Sequence, residues 1–171
     1  MIDYLLTWTE GWVGQTHLAF ALVALISGAL AIVVTKGRGK HRAIGYAYVA
    51  SMLILNVSAL MKYDLTGSFN LFHVFAIVSI VTISVAYGAI LTFKRFKNRI
   101  ALRVHGEMMI WSYFGLVMAL IAEVVTRSFP SLLHGEGGWI RFLVMQILLA
   151  LVTGFLSIRF IRYELRRGMS R

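Results

Sequence analysis

The sequence holds no cysteine, one proline and only seven acidic residues among 171. The missing thiols exclude disulfides, thiolate metal sites, iron–sulfur clusters and haem attached covalently through a Cys-x-x-Cys-His segment. Also missing are a glycine-rich nucleotide loop, a nucleophile–base pair and a zinc-protease signature. Few charges interrupt the long apolar runs, which argues against an ion channel or a dedicated transporter. No signal peptide is expected, because Met1–Tyr4 is acidic rather than basic and no A-x-A cleavage site follows.

What is abundant is apolar surface. The chain is 59% hydrophobic with a mean hydropathy of +0.79, against about 45–50% apolar for a soluble domain. One proline and 15 glycines suit helices in lipid, where glycine lets backbones approach closely. Five runs reach the roughly 20 residues that a helix needs to cross a bilayer. They lie at about 15–35, 42–61, 71–93, 103–126 and 139–161. Such runs are too long for strands, so the expected fold is all-α, an integral membrane protein of five transmembrane helices in one domain over 1–171. Residues 1–14 mix Leu5, Leu6, Trp8 and Trp12 with Asp3 and Glu10 and read as an interfacial segment; 162–171 read as a basic tail.

The formal charge of +10 raises the question of nucleic acid, but the placement of the cations points to a membrane instead. Lys36, Arg38, Lys40 and Arg42 fill the first link. Lys94, Arg95, Lys97, Arg99 and Arg103 fill the third. Arg159, Arg162, Arg166, Arg167 and Arg171 end the chain. Fourteen of the 17 cations therefore fall on one side of a five-span topology. The positive-inside rule places that side in the cytoplasm, with the N-terminus outside, in a bacterial inner membrane. The expected partner is the lipid bilayer, with a quinone or a larger membrane protein complex as further candidates and nucleic acid excluded.

Spans 1 and 2 resemble spans 3 and 4. Each pair reads as histidine, apolar span, basic link, histidine, second span, with His17 and His41 in the first pair and His73 and His105 in the second. The expected architecture is a four-helix core from a duplicated helix hairpin plus a fifth helix. Each histidine is expected in the first turn of its helix. His17 and His73 then lie level near the outer face, and His41 and His105 level near the inner face.

Two facing imidazoles are the minimum for six-coordinate b-type haem, because the porphyrin supplies the other four nitrogens. Arg42, with Arg38, Lys40 and Arg103, would suit the propionates, and Gly45 and Gly106 would let a flat macrocycle approach. His17, His73, His41 and His105 are thus candidate haem or metal ligands. A zinc site needs three or four ligands at one level; His17, His73, Asp64 and His134 could supply them outside, and His41, His105 and Glu107 inside. The alternative is that all four histidines are interfacial, each with an apolar ring and a polar tip satisfying a nearby backbone group. Of the other polar residues in the spans, Glu123 has Arg127 one turn on, Glu107 is expected in an ion pair, and Asn56 is expected to hydrogen-bond across helices. Gln146 is the fourth such residue.

Lys36-Gly37, His41-Arg42, Gly45, Met52, Asn56, Phe72-His73, His105, Met109, Trp111 and Glu123 with Arg127 together resemble an uncharacterised bacterial family of predicted membrane proteins, domain of unknown function 2306. That resemblance covers most of the chain and implies no chemistry. The histidines on alternating helices are more loosely similar to the two-haem cytochrome b561 arrangement. This likeness implies His17/His73 and His41/His105 as axial pairs, although here the histidines lie close to helix ends. The functional expectation is a membrane b-type cytochrome-like electron-transfer protein. The alternatives are a non-catalytic accessory subunit of a larger membrane complex, or a histidine metal-binding membrane protein.

Overall fold

The computed structural model describes residues 11–63, 67–129 and 137–169, with the side chains of residues 139 and 164–169 excepted. Five helices account for nearly all of them: α1 (Gly11–Val33), α2 (Gly39–Leu60), α3 (Leu71–Phe96), α4 (Arg99–Ser128) and α5 (Gly138–Met169). No strand occurs among the described residues. All five helices are long and apolar enough to cross a membrane, and only 17–33% of each span is buried within the chain. Most of the apolar side-chain surface therefore meets lipid, and the protein is a multi-pass membrane protein.

The helices run past the apolar segments that announce them. Spans 3 and 4 are expected to end at 93 and to resume at 103, yet α3 continues to Phe96 and α4 starts at Arg99. Outside the hydrocarbon the deciding quantity is helix propensity, and lysine, arginine and leucine are good helix formers. The link shrinks to Lys97 and Asn98. Lys97 takes a left-handed backbone conformation, φ 55°. Asn98 then caps α4, its Oδ1 accepting from the backbone N–H of Ile100 (2.9 Å) and Ala101 (3.4 Å). Arg103 donates to Glu107 one turn on, at 2.7 Å, which is the ion pair expected there. At the other end, α5 continues to Met169 rather than 161. At 1.5 Å per residue it is about 48 Å long, against a hydrocarbon core of about 30 Å.

The chain divides into two compact units, Met1–Ser84 and Val85–Arg171, the division falling within α3. In the first unit α1 packs on α2. Helix α1 buries only small residues, Gly14, Ala24, Ser27 and Gly28, whereas α2 buries Tyr48, Ser51, Met52, Leu55, Asn56 and Ser58. Small side chains on one helix let the larger ones of its neighbour approach the backbone, which is how helices associate where lipid offers no hydrophobic drive. The α1–α2 turn uses Gly37 at φ 80°, a conformation that costs glycine nothing. The first half of α3 joins α2 through Asn56, whose Nδ2 donates to Ser79 Oγ at 2.9 Å and to Met52 O at 2.8 Å. This is the interhelical bond expected of Asn56.

In the second unit α4 packs on α5. The Trp111 indole lies 3.8 Å from where a Cβ would stand at Gly154. Thr126, Thr153 and Ser157 are buried and return their hydroxyls to their own helices, to the carbonyls of Ala122, Leu149 and Thr153. Of the segments read from the sequence, residues 1–10 of the interfacial segment, Asp64 and His134 lie outside the described residues. Residues 11–14 form the first turn of α1, and 162–169 continue α5.

Candidate functional site

The four histidines stand at two kinds of position. His41 and His73 are each the third residue of a helix and lie in its first turn, as expected. His17 and His105 are each the seventh residue, in the second turn, because α1 starts at Gly11 and α4 at Arg99. The N-terminal extension of these two helices by interfacial and basic residues carries their histidines deeper than the first turn.

His73 is the most enclosed, 1% exposed. Its imidazole lies against two aromatic rings from the link that follows α2, Tyr63 at 4.7 Å and Phe69 at 4.9 Å between ring centroids. Its Nδ1 meets Asn70, the residue that opens α3. It lies 3.2 Å from the Asn70 backbone N–H and 3.1 Å from Asn70 Oδ1, which also accepts from Phe72 N–H. The N–H can only donate and the amide oxygen can only accept, so two tautomers fit. With the proton on Nδ1, a bond goes to Oδ1 and Nε2 holds a bare lone pair. With the proton on Nε2, Nδ1 accepts from the backbone. Either way Nε2 is the unsatisfied atom: it is buried and has no hydrogen-bond partner among the described residues. A buried polar atom left so costs about 1–3 kcal/mol.

His17 lies at the same end of the first unit, where α1 begins and α2 finishes. Its Nδ1 is 3.2 Å from Ser58 Oγ. The Ser58 hydroxyl also lies within donating distance of Leu55 O, at 2.8 Å.

His41 and His105 share a second pattern, each within its own unit. His41 Nδ1 donates to the carbonyl of Ala31 at 3.2 Å, and His105 Nδ1 to that of Ala86 at 2.9 Å. Ala31 lies 14 residues after His17 and Ala86 lies 13 after His73, while the histidines follow their acceptors by 10 and 19 residues. Their roles differ locally. Ala31 is in the last turn of α1, where carbonyls lack helical partners, so His41 caps a helix end. Ala86 is inside α3, and His105 takes the second lone pair of a carbonyl in the body of a helix. A carbonyl-bound Nδ1–H fixes the ring and leaves Nε2 as the basic nitrogen, the orientation found in metal-ligating histidines. Arg42 is exposed on the first turn of α2, beside His41.

No three histidine, aspartate or glutamate side chains come together as a metal-binding group among the described residues. Of the sets considered for zinc, Asp64 and His134 of the outer one lie outside the described residues, and His41 of the inner one stands in a different unit from His105 and Glu107. A donor set of two imidazoles suits a group that brings its own equatorial ligands. Glu123 pairs with Arg127 at 3.0 Å within α4, as its spacing implies. The residues that sequence reading passed over are Ser58, Tyr63, Phe69 and Asn70. Only Asn70 carried a signal, as a helix-capping residue type just before an apolar run.

Comparison with curated proteins and with solved structures returns no match. A family model described as predicted membrane protein (DUF2306) matches residues 14–161, a stretch that takes in all five apolar spans and all four of these histidines. The chain belongs to this family of predicted membrane proteins.

Proposed function

We propose that this chain is a b-type cytochrome-like electron-transfer protein of the bacterial inner membrane, in which His73 and His17 would hold a haem at one end of the first unit. The observation that carries the reading is His73 Nε2, a buried nitrogen with no hydrogen-bond partner among the described residues, at the end of the first unit where His17 also stands. Bound haem would supply a one-electron iron couple. The chain's own residues supply the rest. Ser58 and Asn70 orient the two rings, while Tyr63 and Phe69 cover His73 and keep water from it. The positive-inside rule makes this the outer end, with the N-terminus outside and the C-terminus in the cytoplasm. His41, and Arg42 as a propionate partner, belong to the inner side; His41 and His105 lie in different units, so the reading rests on the outer couple. A quinone or a partner protein serves as electron donor or acceptor.

The test is the visible spectrum of protein purified from cells supplied with haem. A Soret band is expected in the wild type and lost in His73→Ala, with bound iron falling in parallel. Wild-type protein that takes up neither haem nor iron would overturn the proposal and leave the accessory-subunit reading.

A further inference from the structure

Helix α5 holds a polar group that behaves unlike its neighbours. The hydroxyls of Thr153 and Ser157 bond to the backbone of their own helix, and Asn56 in the first unit bonds across helices. Gln146 does neither. It is 3% exposed, and both Nε2 and Oε1 are buried with no hydrogen-bond partner among the described residues. Gln146 shares a buried stripe of α5 with Phe142, Thr153 and Ser157, spaced by four and seven residues. It is six residues into the apolar span that starts at Ile140, roughly 9 Å along the helix. At that depth the lipid chains offer an amide no hydrogen-bond partner.

The amide presents one donor and one acceptor side by side. A charged ligand is excluded by its desolvation cost in lipid. A carbonyl, such as a lipid ester, can engage only the N–H side. A single hydroxyl engages both, donating to Oε1 and accepting from Nε2. We propose that Gln146 anchors the headgroup of a lipid-soluble quinol, whose ring hydroxyl satisfies both halves of the amide. The corresponding quinone offers a carbonyl and satisfies one half, so the site prefers the reduced form. The amide is covered in the ligand-free chain, so the headgroup displaces the side chains above it on binding. The proposal does not depend on haem at His73.

The test uses full-length protein in detergent, titrated calorimetrically with a decyl-tailed benzoquinol under anaerobic conditions, its quinone, and decanol as a hydroxyl without the ring. Saturable quinol binding is expected, tighter than quinone by about tenfold, the worth of one hydrogen bond. Gln146→Leu is expected to weaken quinol by about tenfold or more, to erase the preference, and to leave the ligand-free melting temperature unchanged or raised. Gln146→Met serves the same purpose if the leucine variant does not fold. Non-saturable quinol binding, equal wild-type affinities for quinol and quinone, or an unchanged quinol affinity in the variants would each overturn the assignment. Decanol binding as tightly as quinol would overturn the ligand class.

Discussion

Replacing His73 with phenylalanine separates a structural histidine from a ligand by the sign of its effect. Phenylalanine keeps an aromatic ring against Tyr63 and Phe69 and removes Nε2, the buried atom with no partner among the described residues. Removing an unsatisfied buried polar atom relieves about 1–3 kcal/mol. The Nδ1 contact with Asn70 is lost, which costs about 0.5–1.5 kcal/mol. Asn70 keeps its bond from Phe72 N–H, so the start of α3 remains capped. The cofactor-free variant should therefore match the wild type or exceed it by about 1 kcal/mol, some 2–4 °C for a chain of this length. Protein produced with haem should behave in the opposite sense, because a ligand bound only to the folded state stabilises it by mass action and the variant loses that contribution. The assay is thermal unfolding in detergent of both proteins, each made with and without haem supply, alongside the Soret absorbance. A cofactor-free variant that melts well below the wild type would refute the argument about Nε2. An undiminished Soret band in the variant would refute ligation by His73.

Asn56→Leu removes the amide that joins α2 to Ser79 on α3; a loss of about 0.6–1.7 kcal/mol is expected from thermal unfolding, with Ser79→Ala adding little on top of it. Asn98→Ala uncaps α4 and should cost about 1 kcal/mol, visible as faster amide exchange at Ile100 and Ala101, which bond to its side chain; unchanged protection there would count against the cap. A reporter fused after Arg171 should be active only in the cytoplasm, and activity outside would reverse the orientation drawn from the basic links.

The five helices were legible because each apolar run exceeds what any soluble element requires, and lipid admits no alternative to a helix for such a run. Their ends were less legible. Hydropathy stops reporting once the chain leaves the hydrocarbon, and propensity and capping take over. That is why α4 reaches back to Arg99, capped by Asn98, and why His17 and His105 stand one turn further into their helices than expected. The interhelical bond of Asn56, an ion pair at Glu107 and the pair Glu123–Arg127 were readable, since polar groups at such depths need partners; that Glu107 takes Arg103 came from the structure.

The histidines show where that reasoning stops. The sequence by itself determined that imidazoles lie near the ends of the apolar spans, that cations gather in alternate links, and that no thiol chemistry is possible. Which nitrogen of each ring is engaged was decided only by the tertiary structure. The bond from His17 to Ser58 depends on α1 packing against α2, those from His41 and His105 on how each hairpin closes, and the enclosure of His73 on the path of the link that carries Tyr63 and Phe69. The same holds for Gln146, whose amide finds no partner among the described residues. Hydrophobic length is a property of consecutive residues, whereas the satisfaction of a buried polar atom depends on residues far away in the chain, brought near only by the packed fold.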